Sequence, residues 1–153
     1  MCGNGKGCRL VVCLPDINVL IARSDPKHEW HERVKHWFTT VRPKMILLCP
    51  LTENGFIRIY GHPNYPNGPG SVMAASADLR VIRALPQVEF IPDSVSVIDP
   101  RLISQEVAIG PRQLTDIYLL ALAATRGARF VTLDDRVPAN IVAGGEQALL
   151  VID

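Results

Sequence analysis

The sequence predicts a three-layer α/β/α fold, in which a mainly parallel sheet is covered by helices on both faces. Short apolar runs rich in β-branched residues alternate along the chain with longer segments of helical periodicity. These runs are apolar throughout, as is typical of strands that are buried on both sides. A chain of 153 residues is long enough for one such domain with its own core. We therefore expect a flexible leader at residues 1–8 and a single domain over residues 9–153.

The first part of the chain predicts one β-α-β unit. Residues 9–14 and 45–49 are the strand candidates, and a proline follows each of them. Between them, apolar residues recur at spacings of three and four, which predicts an amphipathic helix over residues 27–40. A second helix is expected over residues 51–60, although Gly55 in its middle costs about 1 kcal/mol relative to alanine.

The rest of the chain alternates in the same way. It begins with a loop dense in Pro, Asn and Gly at residues 61–70. The predicted helices are residues 71–85, 99–109 and 115–125, and the predicted strands are residues 88–91, 129–133 and 148–152. Because helices connect the successive strands, we expect parallel pairing with right-handed crossovers.

Composition excludes some classes of protein. No apolar run reaches the ~20 residues that a membrane-spanning helix needs, and Asp16 interrupts the N-terminal apolar run well short of a signal peptide. We therefore expect a soluble cytoplasmic protein. The net charge of +1 does not by itself indicate a nucleic-acid partner. An acidic centre with a basic rim would also give a nearly neutral total.

Four carboxylates fall where strands end or helices begin. Asp16 follows the first predicted strand by two residues, and Asp134 directly follows the fourth. Glu53 lies in the first turn of the helix after the second strand, and Asp116 lies in the first turn of the helix before the fourth. Ligands of parallel α/β sheets bind beyond the carboxyl ends of the strands. We therefore expect these acids in one cleft, with Asn18 beside Asp16.

Carboxylates in one cleft repel each other unless a cation lies among them. Mg²⁺ and Mn²⁺ prefer oxygen ligands, and such an ion can activate water and neutralise charge on a phosphodiester. The pattern therefore indicates metal-assisted phosphoester hydrolysis. Arg112 and Arg136 are candidates for contact with a nucleic-acid backbone.

Each acid also has a purely structural interpretation. Asp16 is placed to be the N-cap of a short helix that begins near Asn18. Glu53 and Asp116 suit the positive end of a helix dipole, and Asp134 suits a turn. The grouping of all four at one predicted edge favours the site over the structural interpretation.

Three segments carry a resemblance to a known family: LPDINVLIA, CPLTENGFIRI and RQLTDIYLLALAATRGARFVTLDD. They resemble the successive acidic motifs of PIN domains, and most of all those of the VapC toxins of bacterial type II toxin–antitoxin modules. The resemblance implies a PIN-like fold, Mg²⁺- or Mn²⁺-dependent endoribonuclease activity, homodimerisation and a cognate VapB antitoxin.

The same resemblance assigns roles to residues. The acidic site residues of the family fall on Asp16, Glu53, Asp116 and Asp134, of which we assign Asp16, Asp116 and Asp134 as metal ligands. Asn18 and Thr115 are the expected polar supports of the site. The doubled acid at Asp134 and Asp135 leaves open which of the two faces the cleft.

Two other functions are alternatives to the nuclease. The segment DINV is similar to the opening of haloacid-dehalogenase-like phosphatases, but Asn18 stands where that family has a second acid. The other alternative is a non-catalytic interaction module whose acidic cleft binds a basic peptide. The full set of acids favours the nuclease over both.

Overall fold

The sheet contains five strands among the described residues. The structure is a computed structural model, and it describes residues 10–153, so the predicted leader at residues 1–8 lies outside the described residues. The strands are β1 (Val12–Pro15), β2 (Met45–Leu48), β3 (Val88–Phe90), β4 (Arg129–Thr132) and β5 (Leu149–Val151). They lie in the order β3-β2-β1-β4-β5, and every neighbouring pair is parallel. The predicted parallel sheet is confirmed.

Helices cover both faces of this sheet. They are α1 (Ile17–Ser24), α2 (His31–Val41), α3 (Pro50–Tyr60), α4 (Val72–Arg83), α5 (Leu114–Thr125) and the short α6 (Gly145–Ala148). On β1, Leu14 packs with α5 on one face, whereas Cys13 packs with α1 and α2 on the other. Helices α1, α3 and α4 form a further apolar cluster with Leu48 of β2. The three-layer architecture is therefore confirmed. Within residues 10–153, none of the helices is both long and apolar enough to cross a bilayer.

The strand order places a topological switch point between β1 and β4. From the central β1 the chain builds β2 and β3 on one side, and later adds β4 and β5 on the other. Pro15 at the end of β1 is in register with Val131 of β4. The loops that follow β1 and β4 therefore diverge from neighbouring points at one edge, which is where open α/β sheets form ligand sites.

The single helix predicted over residues 27–40 is wrong at its start. The chain forms α1 first, turns over residues 25–30, and begins α2 only at His31. The buried Asp25 explains the turn, because its Oδ1 accepts the backbone N–H of Lys27 at 2.9 Å and its Oδ2 accepts the hydroxyl of Tyr65 at 2.8 Å. His28 Nδ1 accepts the N–H of Trp30 at 3.1 Å. The bonds to the N–H groups of Lys27 and Trp30 are local and replace those of a helix, and the bond from Tyr65 fixes the turn from outside.

The helix predicted over residues 99–109 is also wrong, because this segment is irregular. The carboxylate of Asp99 accepts both the backbone N–H and the guanidinium of Arg101. Ile103 forms an isolated antiparallel bridge with Val142, and the side chain of Gln105 donates to the carbonyl of Ile103 at 2.8 Å. Carbonyl and amide groups of the segment are thus engaged by partners outside any helix. The other predicted helices and strands are present, with ends displaced by a few residues.

Gly55 has a packing role that offsets its low helix propensity. A Cβ atom at this position would collide with the side chain of Ile17 on α1. The glycine therefore lets α3 approach the first turn of α1 closely. Since Asp16 immediately precedes that turn, this contact helps to fix the start of the loop that carries it.

Candidate active site

Asp16 is held rigidly where β1 passes into α1. Its side chain is only 5% exposed. Its Oδ1 accepts the backbone N–H of Ile17 at 2.7 Å, and its own N–H donates to the carbonyl of Val131 at 2.8 Å. Asp16 is thus the N-cap of α1, as the structural interpretation had it. The cap occupies Oδ1, and Oδ2 is directed away from the helix, towards β4. Burial raises the pKa of Asp16, and two hydrogen bonds to its carboxylate oppose that rise.

Thr132, which the sequence analysis missed, connects two of the predicted acids. This fully buried residue ends β4. Its hydroxyl donates to Asp16 Oδ2 at 3.1 Å and accepts the backbone N–H of Asp134 at 3.1 Å. One hydroxyl therefore orients both the side chain after β1 and the turn after β4. The available signal was a polar residue at the end of an otherwise apolar strand.

Asp134 forms a compact turn with Arg136. Its Oδ1 accepts the backbone N–H of Arg136 at 2.9 Å and Nε at 3.0 Å, and its Oδ2 accepts Nη2 at 3.2 Å. These bonds hold the pKa of Asp134 below its usual value. The charge of Asp134 raises the pKa of both Asp16 and Asp116, whereas Asp135 is exposed. Asp134 is therefore the acid of this pair whose charge acts on Asp16 and Asp116.

Asp116 is the third member of the cluster. It lies in the first turn of α5 and is partly buried. Burial, followed by the negative charges of Asp16 and Asp134, raises the pKa of Asp116 to about 6. Thr115 precedes it in the same turn, and the exposed Arg112 lies in the 3₁₀ turn just before α5. A partly buried carboxylate beside two like charges is typical of functional sites.

Glu53 behaves differently from the three aspartates. It lies in the first turn of α3, and its Oε1 is 3.3 Å from Nη1 of Arg83, with side-chain exposures of 19% for Glu53 and 46% for Arg83. Oε1 is buried, and this ion pair lacks hydrogen-bond geometry. The Arg83 guanidinium also lies 4.4 Å from the centre of the Phe90 ring. The structure thus brings three of the predicted acids together and pairs the fourth with an arginine.

Asp93 is a further acid at this edge that the sequence analysis did not single out. It follows β3 by three residues. Burial, and then the charge of Asp93, raises the pKa of the Tyr118 phenol. The pKa of the Cys49 thiol is also raised, mainly by burial and to a smaller extent by Asp93. The rule that selected Asp16, an acid just after a strand, would also have selected Asp93.

The three aspartates fit a hard divalent cation by the chemistry of their donors. They supply carboxylate oxygens, and a cation would offset both the burial of Asp116 and the negative charges beside it, which together raise its pKa. Within residues 10–153, no three His, Cys, Asp or Glu side chains are arranged closely enough to hold a metal ion. The three aspartates would therefore have to reorient to bind one. Asp134 is instead turned towards Arg136.

A parallel α/β sheet with charge-coupled aspartates at its switch point is the architecture of the PIN-domain class. The relatives make this specific. Ribonuclease VapC44 of Mycobacterium tuberculosis is 38% identical over 131 residues, which are 86% of this chain and 92% of that protein. Ribonuclease VapC38 of the same organism is 36% identical over 80% of this chain and 85% of its own length. The chain therefore belongs to the VapC family of ribonucleases.

Two further comparisons agree with this assignment. Ribonuclease VapC39 of M. tuberculosis is 32% identical over 88% of this chain and 96% of its own length. The crystal structure of M. tuberculosis VapC20, described as a toxin that cleaves the sarcin–ricin loop, superposes with a TM-score of 0.59. That match covers 86% of this chain and 97% of VapC20 at 12% identity, so it supports the fold alone. No protein-family model matches the chain.

Proposed function

We propose that this protein is a Mg²⁺- or Mn²⁺-dependent endoribonuclease and the toxin of a toxin–antitoxin module. The observation that carries the proposal is the grouping of three aspartates at the switch point of the sheet, where Thr132 connects Asp16 to Asp134 and the charges of both act on Asp116. Unless a cation or a proton is present, this cluster is unfavourable in the folded state. Membership in the VapC family supplies RNA as the substrate class.

Each of the site residues has a proposed role in the reaction. Asp16, Asp116 and Asp134 would hold the ion, which when bound activates water and neutralises charge on the phosphodiester. Thr132 keeps Asp16 and Asp134 in fixed relative positions. Arg112 and Arg136 attract the RNA backbone, and Asn18 and Thr115 are polar supports at the rim. Glu53 is the proposed fourth acid, which assists the reaction once its carboxylate is released from Arg83.

The biological context of the proposal rests on the family. A cognate VapB-type antitoxin would neutralise the protein, and the active form would be a homodimer in the cytoplasm. We also propose that residues 9–153 act as one domain, because the chain adds strands from both of its ends to the same sheet.

The first experiment measures cleavage of single-stranded and looped RNA by the purified protein. We expect cleavage with Mn²⁺ or Mg²⁺ and none in excess EDTA. Asp16→Asn is the matched control, because asparagine preserves the helix cap while removing the charge. Full cleavage in EDTA would contradict the proposal, as would turnover of p-nitrophenyl phosphate without RNA cleavage, which would favour the phosphatase alternative.

The second experiment addresses the role as a toxin. Expression of the protein alone should slow bacterial growth, and the Asp16→Asn variant at the same level should not. Co-expression of the cognate antitoxin should restore growth. Equal growth of cells that express the wild type and Asp16→Asn would argue against a nuclease toxin.

A further inference from the structure

An open cavity adjoins the aspartate cluster, and most of the residues on its α2 side have no part in the reaction as proposed above. Its volume is about 490 Å³. It lies between the turn that precedes α2 and the turn that follows β4. The residues that line it include Asn18, His28, Trp30, Leu133, Asp134 and Arg136. Because Asp134 belongs to both sites, a chain bound at the cluster would pass directly by this cavity.

The wall that carries Trp30 is well ordered by its contacts. His28 Nδ1 accepts the backbone N–H of Trp30 at 3.1 Å, so in the neutral imidazole the proton is on Nε2. The Trp30 ring packs against the apolar cluster beneath the sheet, and the Arg33 guanidinium lies 4.8 Å from the ring centre. The cavity therefore offers the part of the Trp30 ring that the core and Arg33 leave uncovered, together with an amide on Asn18 and an N–H group on His28.

The charges around the cavity select the kind of occupant. Carboxylates of Glu29, Asp134 and Asp135 line it, against the single guanidinium of Arg136. Arg136 already pairs with Asp134, so the charges of Glu29 and Asp135 disfavour a phosphate inside the cavity, whereas the backbone can pass along its rim at Arg136. A neutral heterocycle with N–H donors would instead be attracted, because the carboxylates and the Asn18 carbonyl accept hydrogen bonds. Unpaired RNA bases have this chemistry, and proteins bind them by stacking on aromatic and arginine side chains.

We propose that this cavity binds an unpaired base of the substrate RNA, next to the scissile phosphate. The base packs against the uncovered part of the Trp30 and Arg33 pair and forms hydrogen bonds with Asn18 and His28. The inference rests on the proposed ribonuclease function, and it adds a specificity pocket to that site. Trp30 would then be a specificity-determining residue, contributed by the turn that separates α1 from α2.

The first test removes the base and leaves the protein unchanged. After the cleavage site in a single-stranded RNA oligonucleotide has been mapped, an abasic ribonucleotide replaces each of the nucleotides flanking it in turn. We expect kcat/KM to fall roughly ten- to hundredfold at one of the flanking positions, as is typical for the loss of one stacked base. Equal cleavage of the intact and both abasic oligonucleotides would overturn the proposal.

The second test removes the aromatic surface. Trp30→Leu should lower kcat/KM on the intact RNA by a similar factor and lose its sensitivity to the abasic position. Trp37→Leu is the matched control, because Trp37 packs against the same apolar cluster but does not line the cavity. That variant should behave as the wild type does. A Trp30→Leu protein that keeps the full abasic penalty would contradict the proposal. If Trp30→Leu does not fold, the wild-type abasic comparison decides.

The third test measures binding without cleavage. The chain has two tryptophans, so the Trp37→Phe, Asp16→Asn double variant retains Trp30 as its only tryptophan. Its fluorescence should be quenched saturably by oligo(A), oligo(C) or oligo(U), and much less by an abasic oligomer. Quenching by an oligoarginine peptide but by none of the RNAs would assign the cavity to a basic protein partner and overturn the proposal. This readout is independent of catalysis, so base-dependent quenching in a protein that cleaves no RNA would support the pocket while the proposed function failed.

Discussion

The hydroxyl of Thr132 donates a hydrogen bond of 3.1 Å to Asp16 Oδ2, although the two residues are 116 positions apart in the chain. The bond crosses from the end of β4 to the residue that follows β1. Because both partners are buried, it contributes to the stability of the fold as well as to the orientation of the cluster.

Replacement of Thr132 by valine should damage both stability and activity. The Thr132→Val substitution keeps the shape of the side chain but leaves Asp16 Oδ2 and the N–H of Asp134 without their partner. We expect a loss of about 1–3 kcal/mol in the free energy of unfolding and a clear drop in RNA cleavage. Chemical denaturation and cleavage assays measure the two effects. Thr125→Val is the control, because it removes a hydroxyl bond within α5 only and should leave cleavage intact.

Neutralisation of Asp116 should stabilise the metal-free protein. Asp116→Asn removes one of three coupled charges, so we expect the free energy of unfolding to rise by about 1 kcal/mol, while cleavage falls by orders of magnitude. Added Mn²⁺ should then raise the melting temperature of the wild type more than that of the variant. Asp135→Asn is the control and should resemble the wild type. Equal Mn²⁺-induced shifts in wild type and Asp116→Asn, with cleavage retained, would remove Asp116 from the site.

The raised pKa of Asp116 predicts that the stability of the metal-free protein depends on pH. The pKa of Asp116 is about 6 in the folded protein, above the value of about 3.9 for an unfolded aspartate. The folded state therefore binds more protons between these values, and the contribution of Asp116 to stability declines as pH rises from about 4 to about 6. The stability advantage of metal-free Asp116→Asn should be small near pH 4 and largest above pH 6. Differential scanning calorimetry across this range would test the sign, and an advantage that shrinks with pH would contradict it.

Glu53 and Arg83 can be separated by a matched pair of substitutions. Glu53→Gln and Arg83→Gln both break the same partly exposed ion pair, so each should change stability by no more than about 1 kcal/mol. Only Glu53→Gln removes the carboxylate. We expect cleavage to fall much further in Glu53→Gln than in Arg83→Gln. Similar cleavage by the two variants would mean that Glu53 serves only as the partner of Arg83.

The sequence by itself determined the class of fold and the edge at which the acids gather. Strands buried on both faces appear as short apolar runs in the sequence, and helices with one apolar face appear as apolar residues spaced three or four apart. In a parallel sheet, residues just after strands lie at one edge, so Asp16 and Asp134 could be placed without coordinates. Local signals of this kind predicted that these acids lie at one edge, and the motifs around Asp16, Glu53 and Asp116 resembled those of the family.

Only the tertiary structure decided which side chains meet at that edge. Thr132 forms hydrogen bonds with both Asp16 and Asp134, and Glu53 forms an ion pair with Arg83 rather than joining the three aspartates. The irregular segment after Asp99 depends on a bridge between Ile103 and Val142. The bonds of Thr132 to Asp16, of Arg83 to Glu53 and of Ile103 to Val142 join residues from different parts of the chain, and their strength depends on burial and distance in the folded state. The spacing of apolar residues reflects only the sequence near each residue, so it does not reveal contacts between distant segments.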